Sequence, residues 1–192
     1  MKKFILMAAV MLSSMTAFAQ HPAGSFTVQP KVGLNIASFT NADGSDPRLG
    51  LAVGAELEYA ATDMLGISAG VLYSMQGCKA TEERATATIK TDYINIPILA
   101  NVYVVKGLAV KVGVQPGFKV NSGYSFSAGD DDIEIDDHSF KSFDFSIPVG
   151  LSYEYNNVVL DARYNFGCTK VLENFDPKNS VFQITLGYKF NL

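Results

Sequence analysis

The chain has 192 residues, of which 48% are hydrophobic, and it carries 15 basic and 19 acidic side chains. This length suits one domain. The acidic balance argues against non-specific nucleic-acid binding, because such binding depends on a basic surface.

The amino-terminal segment has the features of a secretory signal peptide. Two lysines precede an apolar core, Phe4 to Met15, and Ala17-Phe18-Ala19 forms a small-x-small cleavage site. The core is shorter than the ~20 residues that a membrane-spanning helix needs. We therefore expect residues 1–19 to be removed on export, which leaves a single domain, 20–192.

Eight stretches of the remaining chain alternate apolar residues with polar or small ones at period two. Successive side chains of a strand point to opposite faces, so each stretch has one apolar face and one polar face. Behind an export signal, this pattern predicts an all-β fold, an eight-stranded antiparallel up-and-down transmembrane β-barrel. The predicted strands are 26–38, 49–59, 64–76, 91–104, 107–120, 140–155, 157–167 and 180–190.

The connections between these strands alternate between long and short. Long connections on the outer side and short periplasmic turns are typical of an outer-membrane barrel. The long ones are residues 39–48, 77–90, 121–139 and 168–179, and the short ones are 60–63, 105–106 and the region of Asn156.

A soluble barrel would have the same strands with the apolar face turned inward, so the orientation has to be argued separately. Eight strands enclose a lumen that side chains just fill, and the bulky apolar set would crowd it, whereas the opposite set is rich in glycine. Aromatic residues also group at the two ends of the apolar face, as in membrane barrels. The predicted outer group is Tyr73, Phe118, Phe143, Phe145, Tyr164, Phe166 and Phe182, and the periplasmic group is Phe26, Tyr59, Tyr153, Tyr155, Tyr188 and Phe190.

The polar face carries charges that can pair between neighbouring strands. Lys31 can meet Glu56 or Glu58, Lys119 can meet Asp144, and Lys111 lies toward Glu154 or Asp161. We predict a structural polar network in the lumen made of Lys31, Glu56, Glu58, Lys111, Lys119, Asp144, Glu154, Asp161, Arg163 and Lys189. A lumen filled in this way leaves no channel for large solutes.

Four prolines lie inside predicted strands, where proline removes a hydrogen bond of the ladder. A closed barrel has no edge strand to accommodate them. We expect bulges or local breaks at Pro30, Pro97, Pro116 and Pro148.

The two cysteines, Cys78 and Cys168, reach an oxidising compartment, where a disulfide can persist. They lie at the ends of strands three and seven, on opposite walls of the barrel. A bridge would require the loops to fold over the mouth, and two unpaired thiols are the alternative.

Candidates for catalysis or metal binding are few. His21 lies at the mature amino terminus, and His138 precedes Ser139 in an acidic loop, which we interpret as a solvated histidine rather than a catalytic base. The run from Asp130 to Asp137 has oxygen ligands that suit Ca²⁺ but lacks the pattern of an EF-hand. We therefore predict a solvated acidic loop, and no catalytic, cofactor or metal site.

Three segments resemble the Bacteroidetes outer-membrane β-barrel proteins of the porin or PorT-like family. The segment Asp92-Tyr93-Ile94-Asn95-Ile96-Pro97-Ile98-Leu99 is similar to the family's Y-x-x-I-P strand. Pro30 to Asn35 and Gln183 to Phe190 are similar to its first and last strands. The resemblance implies an eight-stranded outer-membrane barrel. It carries over no catalytic or ligand residue and does not link this chain to type IX secretion.

These observations predict a monomeric outer-membrane barrel, not an enzyme, that acts through its surface loops in binding, adhesion or envelope integrity. Its expected partners are outer-membrane lipid and lipopolysaccharide, the barrel assembly machinery, and an unknown extracellular or envelope partner. The alternatives are a periplasmic or secreted lipocalin-like carrier of an apolar ligand and an outer-membrane lipid-modifying enzyme.

Overall fold

Eleven β-strands make up the regular structure of the residues that the computed structural model describes, namely 22–40, 46–82, 85–128, 131–136, 141–169 and 178–192. The strands are β1 (Phe26–Thr40), β2 (Asp46–Ala60), β3 (Leu65–Glu82), β4 (Ala85–Asn95), β5 (Ile98–Val105), β6 (Leu108–Ala128), β7 (Asp131–Asp136), β8 (Phe143–Tyr155), β9 (Val158–Gly167), β10 (Lys178–Tyr188) and β11 (Phe190–Asn191). Over the same residues, no helix has the length and apolar character needed to cross a membrane.

The strands form one antiparallel sheet that closes on itself, because β10 pairs with β1. The segments β4 and β5 together make one wall strand, and β10 and β11 make another, so the wall has eight strands. Each is a neighbour in space of the strand that precedes it in sequence. The predicted eight-stranded up-and-down barrel is therefore confirmed.

The orientation of the side chains confirms the membrane form of the barrel. On β1, Leu34 is 56% exposed while Lys31 is 4% exposed, and on β2, Val53 is 42% exposed while Glu56 is 2% exposed. Large apolar side chains thus cover the outside of the barrel and charged ones fill the inside. A soluble barrel would have the opposite arrangement.

Aromatic side chains meet in pairs near both ends of this apolar surface. The rings of Phe26 and Tyr59 lie 4.9 Å apart, and those of Tyr188 and Phe190 lie 4.8 Å apart, at the end with short turns. At the other end, Phe118 packs on Phe143 at 5.7 Å and Tyr164 on Phe166 at 4.4 Å. These positions agree with two aromatic girdles around an aliphatic band.

The predicted proline breaks are correct at two positions and need correction at the other two. Ile96 and Pro97 separate β4 from β5, and at Pro148 the pairing of β6 with β8 stops at Val112–Val149 and resumes at Gln115–Ser146. Pro30 and Pro116 lie inside continuous strands. At Pro30 the interruption is instead in the partner strand. Val28 pairs with Phe190 and Lys31 with Gly187 in one register, and Lys189 between them is the gap between β10 and β11, since proline has no N–H to give to that ladder.

Two of the predicted long loops are strands over much of their length. In the region 77–90, β3 and β4 remain paired up to Glu82 and Ala85. In the region 121–139, β6 continues to Ala128 and folds back as β7. The prediction of loops was wrong here because Ser, Thr and Gly at alternate positions interrupt the apolar-polar alternation by which a strand is recognised in the sequence. The backbone hydrogen bonds between the strands do not depend on that alternation.

We predict that the loss of unfolding free energy caused by a charge on the outer face depends on how deep in the membrane the charge lies. Val32, among aliphatic neighbours at mid-height, and Val158, beside the short turn at Asn156 and Asn157, are both exposed to the outside. Val32→Arg should lower the free energy of unfolding in lipid vesicles by about 2–4 kcal/mol, and Val158→Arg by about 0–1 kcal/mol. Urea titrations of the two variants would test this, and equal losses would contradict a membrane-spanning wall.

Candidate functional site

The barrel lumen holds the main concentration of charged side chains in the described residues. Its middle is a group that we call the central cluster. It consists of Lys31 on β1, Glu56 on β2, Lys111 on β6, and Asp161 and Arg163 on β9. All five side chains are at most 3% exposed. The strand alternation places them inside because each lies on the parity opposite to the aliphatic band.

The two carboxylates of the central cluster are each shared by three cations. Lys31 Nζ lies 2.8 Å from Glu56 and 3.6 Å from Asp161, while Lys111 Nζ lies 2.8 Å from Asp161 and 3.8 Å from Glu56. Arg163 donates from Nε and Nη2 to the two oxygens of Asp161, at 2.9 and 2.7 Å, and from Nη2 to Glu56 at 2.9 Å. This guanidinium thereby connects β9 with β2, which are not neighbours in the wall.

A second group, the lower cluster, lies nearer the short turns and consists of Glu58, Tyr103, Glu154 and Lys189. Lys189 Nζ lies 2.9 Å from Glu58 and 3.2 Å from Glu154, and it donates to the Tyr103 hydroxyl at 2.8 Å. The Tyr103 hydroxyl in turn donates to Glu58. The prediction that Lys31 meets Glu56 or Glu58 is thus met by Glu56, since Glu58 binds Lys189 instead.

The remaining members of the predicted network, Lys119 and Asp144, lie toward the opposite mouth. Asp144 pairs in register with Gly117 rather than with Lys119, and it accepts a hydrogen bond from Thr169 at 2.7 Å. Asp92 of the same region was not in the predicted network.

Asp92 is buried and accepts a hydrogen bond from the Tyr73 hydroxyl at 2.8 Å, with Arg48 Nη1 4.0 Å away. Tyr73 belongs to the outer apolar face, so only its hydroxyl reaches this lumen carboxylate. The alternating pattern alone gave no reason to connect Tyr73 with a lumen carboxylate, because it assigns Tyr73 to the outer apolar face.

Glycines beside the long charged side chains make room for the clusters. Lys31 lies in register between Gly54 and Gly187, and Gly150 lies between Lys111 and Arg163. A Cβ on Gly70 would come within 2.5 Å of the Glu56 Cγ, and one on Gly66 within 2.3 Å of Glu58 Oε1. The sequence showed that the inner face carries many small residues. It did not show that glycines and charged residues lie side by side on neighbouring strands.

The charges of the two clusters balance only when both are taken together. The central cluster has three cations and two carboxylates, and the lower cluster has one lysine and two carboxylates. Within the two clusters, every cation lies within 3.2 Å of at least one carboxylate, so ion pairs occupy the middle and the lower part of the lumen. No group of His, Cys, Asp or Glu in the described residues is arranged to hold a metal ion.

The cysteines and the loop candidates complete the predicted sites. Cys78 is buried and Cys168 is exposed, and both are free thiols. They lie on β3 and just after β9, which are not neighbours in the sheet, so the bridge that we considered is not present in this structure. His21, His138 and Ser139 lie outside the described residues. The acidic run is strand β7 from Asp131 to Asp136 rather than a loop, and its side chains are likewise not described.

Comparison with known families agrees with this architecture. A family model described as "Outer membrane protein beta-barrel domain" matches residues 18–173. The chain belongs to this family. This outer-membrane β-barrel protein therefore places its apolar outer face in the lipid of the outer membrane and its charged clusters in the barrel interior.

Solved structures share the fold of this outer-membrane barrel. Ail, the attachment invasion locus protein of Yersinia pestis, superposes with a TM-score of 0.52 at 13% identity, and the match covers 88% of this chain and 99% of Ail. Neisserial surface protein A superposes with a TM-score of 0.52 at 16% identity, covering 86% of this chain and 97% of that protein. A search of curated protein sequences gave no match.

We predict that removing a carboxylate from the central cluster lowers the free energy of unfolding more than removing a cation does. Glu56→Gln leaves three buried cations around one carboxylate and should cost about 3–5 kcal/mol of unfolding free energy. Lys111→Met leaves two cations with two carboxylates and should cost less. Parallel urea titrations in detergent micelles would compare the two variants, and a larger loss for Lys111→Met would contradict this charge balance.

We also predict that Gly70 is needed for its lack of a side chain. Gly70→Val would place a Cβ 2.5 Å from the Glu56 Cγ and 2.6 Å from the Ala55 carbonyl oxygen. The substitution should therefore lower the free energy of unfolding by about 1–3 kcal/mol. Ala69→Val adds methyl groups at the neighbouring position, which is exposed on the outer face, and is the matched control. A similar loss in both variants would show that β3 rejects bulk for another reason.

Proposed function

We propose that this protein is a non-conducting outer-membrane barrel whose specific role, in binding, adhesion or envelope integrity, is performed by its extracellular strands and loops. The observation that carries the proposal is the ion-paired lumen. Arg163 and Lys31 lie at its centre, 1% and 4% exposed. A lumen blocked in this way offers no route to a large solute, so the surface outside the membrane is what remains for recognition.

The finer family placement is part of the proposal. The Y-x-x-I-P segment at Tyr93 to Pro97 coincides with the break between β4 and β5, where the Ile96 N–H donates to the Pro116 carbonyl at 2.8 Å. A structural role for this motif supports placement among the Bacteroidetes porin or PorT-like barrels. We propose no link to type IX secretion.

The proposed partners follow from the surfaces. Outer-membrane lipid contacts the apolar band, and lipopolysaccharide contacts the outer aromatic rim. The barrel assembly machinery is the proposed partner during insertion, and the mature protein is proposed to be a monomer. The Ail structure contains the heparin analogue sucrose octasulfate, but the longest connection here is acidic, so we do not propose a polyanion as the ligand of this chain.

Of the two alternative functions, the carrier is excluded by the orientation of the wall. A carrier of an apolar ligand needs an apolar cavity, whereas the middle of this lumen holds five charged side chains. A lipid-modifying enzyme built on His138 and Ser139 is not favoured by any observation. If it were correct, His138→Ala would alter the profile of lipid A species.

The non-conducting barrel can be tested by solute flux. Liposomes that contain the folded protein should show no swelling in small sugars, whereas a sixteen-stranded porin, which has an aqueous channel, should give rapid swelling. Heat-modifiable migration on a gel would establish in each preparation that the barrel is folded. Size-dependent sugar uptake through this protein would overturn the proposal.

The role of the surface can be tested by shortening one hairpin. Replacing residues 124–136 with a two-residue turn removes β7 and the end of β6 but leaves the barrel pairs of β6, which end at Phe118 and Phe143. We expect a heat-modifiable barrel in the outer membrane with reduced adhesion of whole cells to epithelial or matrix surfaces. Lys106→Asn in a periplasmic turn is the control. Adhesion and envelope integrity unchanged by the shortened hairpin would count against a role for this surface.

A further inference from the structure

One part of the wall continues far beyond the barrel. β6 pairs with β8 up to Phe118, then runs on for ten residues to Ala128. At about 3.3 Å per residue, this extension has a contour length of roughly 30 Å. On the side away from β7, β4 pairs with β6 along this extension, and β3 pairs with β4 as far as Glu82 and Ala85. The outer end of the barrel therefore carries a projecting sheet in the order β3-β4-β6-β7.

The strand β7 is the outermost strand of this projecting sheet. It pairs with β6 from Gly123–Asp136 to Ala128–Asp131 without a register shift. Within the described residues, β6 is its sole partner. In an antiparallel pair, about half of the residues of an edge strand turn their backbone N–H and C=O groups away from the partner. β7 thus presents a row of such groups on a sheet edge, which is a template for another strand.

The sequence of β7 indicates which charge an added strand would need in order to pair with it. Natural edge strands are commonly blocked by charged side chains, lysine above all, by proline or by a bulge, and a charge blocks partners of like charge in particular. β7 contains no lysine or proline, its pairing has no bulge, and four of its six residues are acidic. Like charges directly opposite each other destabilise a strand pair, so a second copy of β7 is disfavoured. A strand bearing lysine or arginine is favoured at the same positions.

We infer that the edge of β7 that faces away from β6, which no other described residue pairs with, is a docking site for an extended, cationic segment of a partner protein, which adds to the projecting sheet as a further strand. Main-chain hydrogen bonds would supply affinity and the acidic residues would select for positive charge. This inference rests on the proposed surface function and names the chemistry of its partner.

The test uses the full-length protein folded in neutral detergent and a labelled ten-residue peptide of alternating lysine and threonine. We expect saturable binding by fluorescence anisotropy. A peptide of the same sequence, N-methylated at alternate residues, keeps its charge but loses one hydrogen-bonding edge. It should bind at least about tenfold more weakly, because two or more backbone hydrogen bonds are lost. A glutamate-threonine peptide should not bind.

Protein variants test the other side of the contact. The triple variant Asp132→Asn, Glu134→Gln and Asp136→Asn should weaken binding of the lysine peptide about tenfold or more at low salt. The control is the double variant Asp46→Asn and Asp63→Asn, at exposed sites away from β7. It should leave binding of the lysine peptide unchanged. Heat-modifiability would confirm that each variant is folded.

Three outcomes would overturn the inference: equal binding of the N-methylated peptide, equal binding by the triple variant, or no binding of the lysine peptide. The proposed surface function can fail separately. If the shortened hairpin abolishes adhesion but the N-methylated peptide binds normally, the surface acts by another contact and only the strand-addition inference is wrong. If sugars pass through the barrel, the proposed function is wrong whatever the peptides do.

Discussion

The structure depends on one constraint, which is that a backbone in lipid must satisfy all of its hydrogen bonds within the protein. A sheet can meet this requirement only by closing, because an open edge in hydrocarbon would leave N–H and C=O groups without partners. The pairing of β10 with β1 provides the closure here. Closure with eight strands then fixes a narrow lumen, and a narrow lumen must be filled by side chains.

The filling of this lumen explains the composition of the inner face. Charged side chains are expensive to bury unless each finds a partner, and the central and lower clusters supply such partners from six different strands. Long side chains also need space inside a tightly curved wall. Glycines in register with Lys31, Lys111 and Arg163 provide that space, so the small and the charged residues of the inner face are two parts of one packing solution.

The same constraint ends where the membrane ends. Outside the lipid, strands can have free edges, and polar residues can occupy both faces of a sheet. The projecting strands β3, β4, β6 and β7 use this freedom, since they remain paired with one another beyond the last pair of β6 with β8. The closed wall therefore meets the demands of the lipid, and the extension follows the less strict demands of water.

The sequence by itself determined the class of the fold and the orientation of the wall. Period-two alternation assigns each residue to a face, and the sorting of aromatics to the ends distinguishes a lipid-facing surface from a soluble core. These signals are local, so they can be read along one strand at a time. The salt-bridge candidates on adjacent strands, such as Lys31 and Glu56, were within reach of the same reasoning.

Only the tertiary structure decided which charges meet across the lumen, which glycine lies beside which charge, and how far the outer hairpins continue. Arg163 and Glu56 are separated by 107 positions in the chain, and their 2.9 Å contact depends on the curvature and stagger of the closed sheet. The extension of β6 beyond Phe118 depends on pairing with β4 and β7. Both are relations between strands, and the residue pattern along a single strand does not contain them.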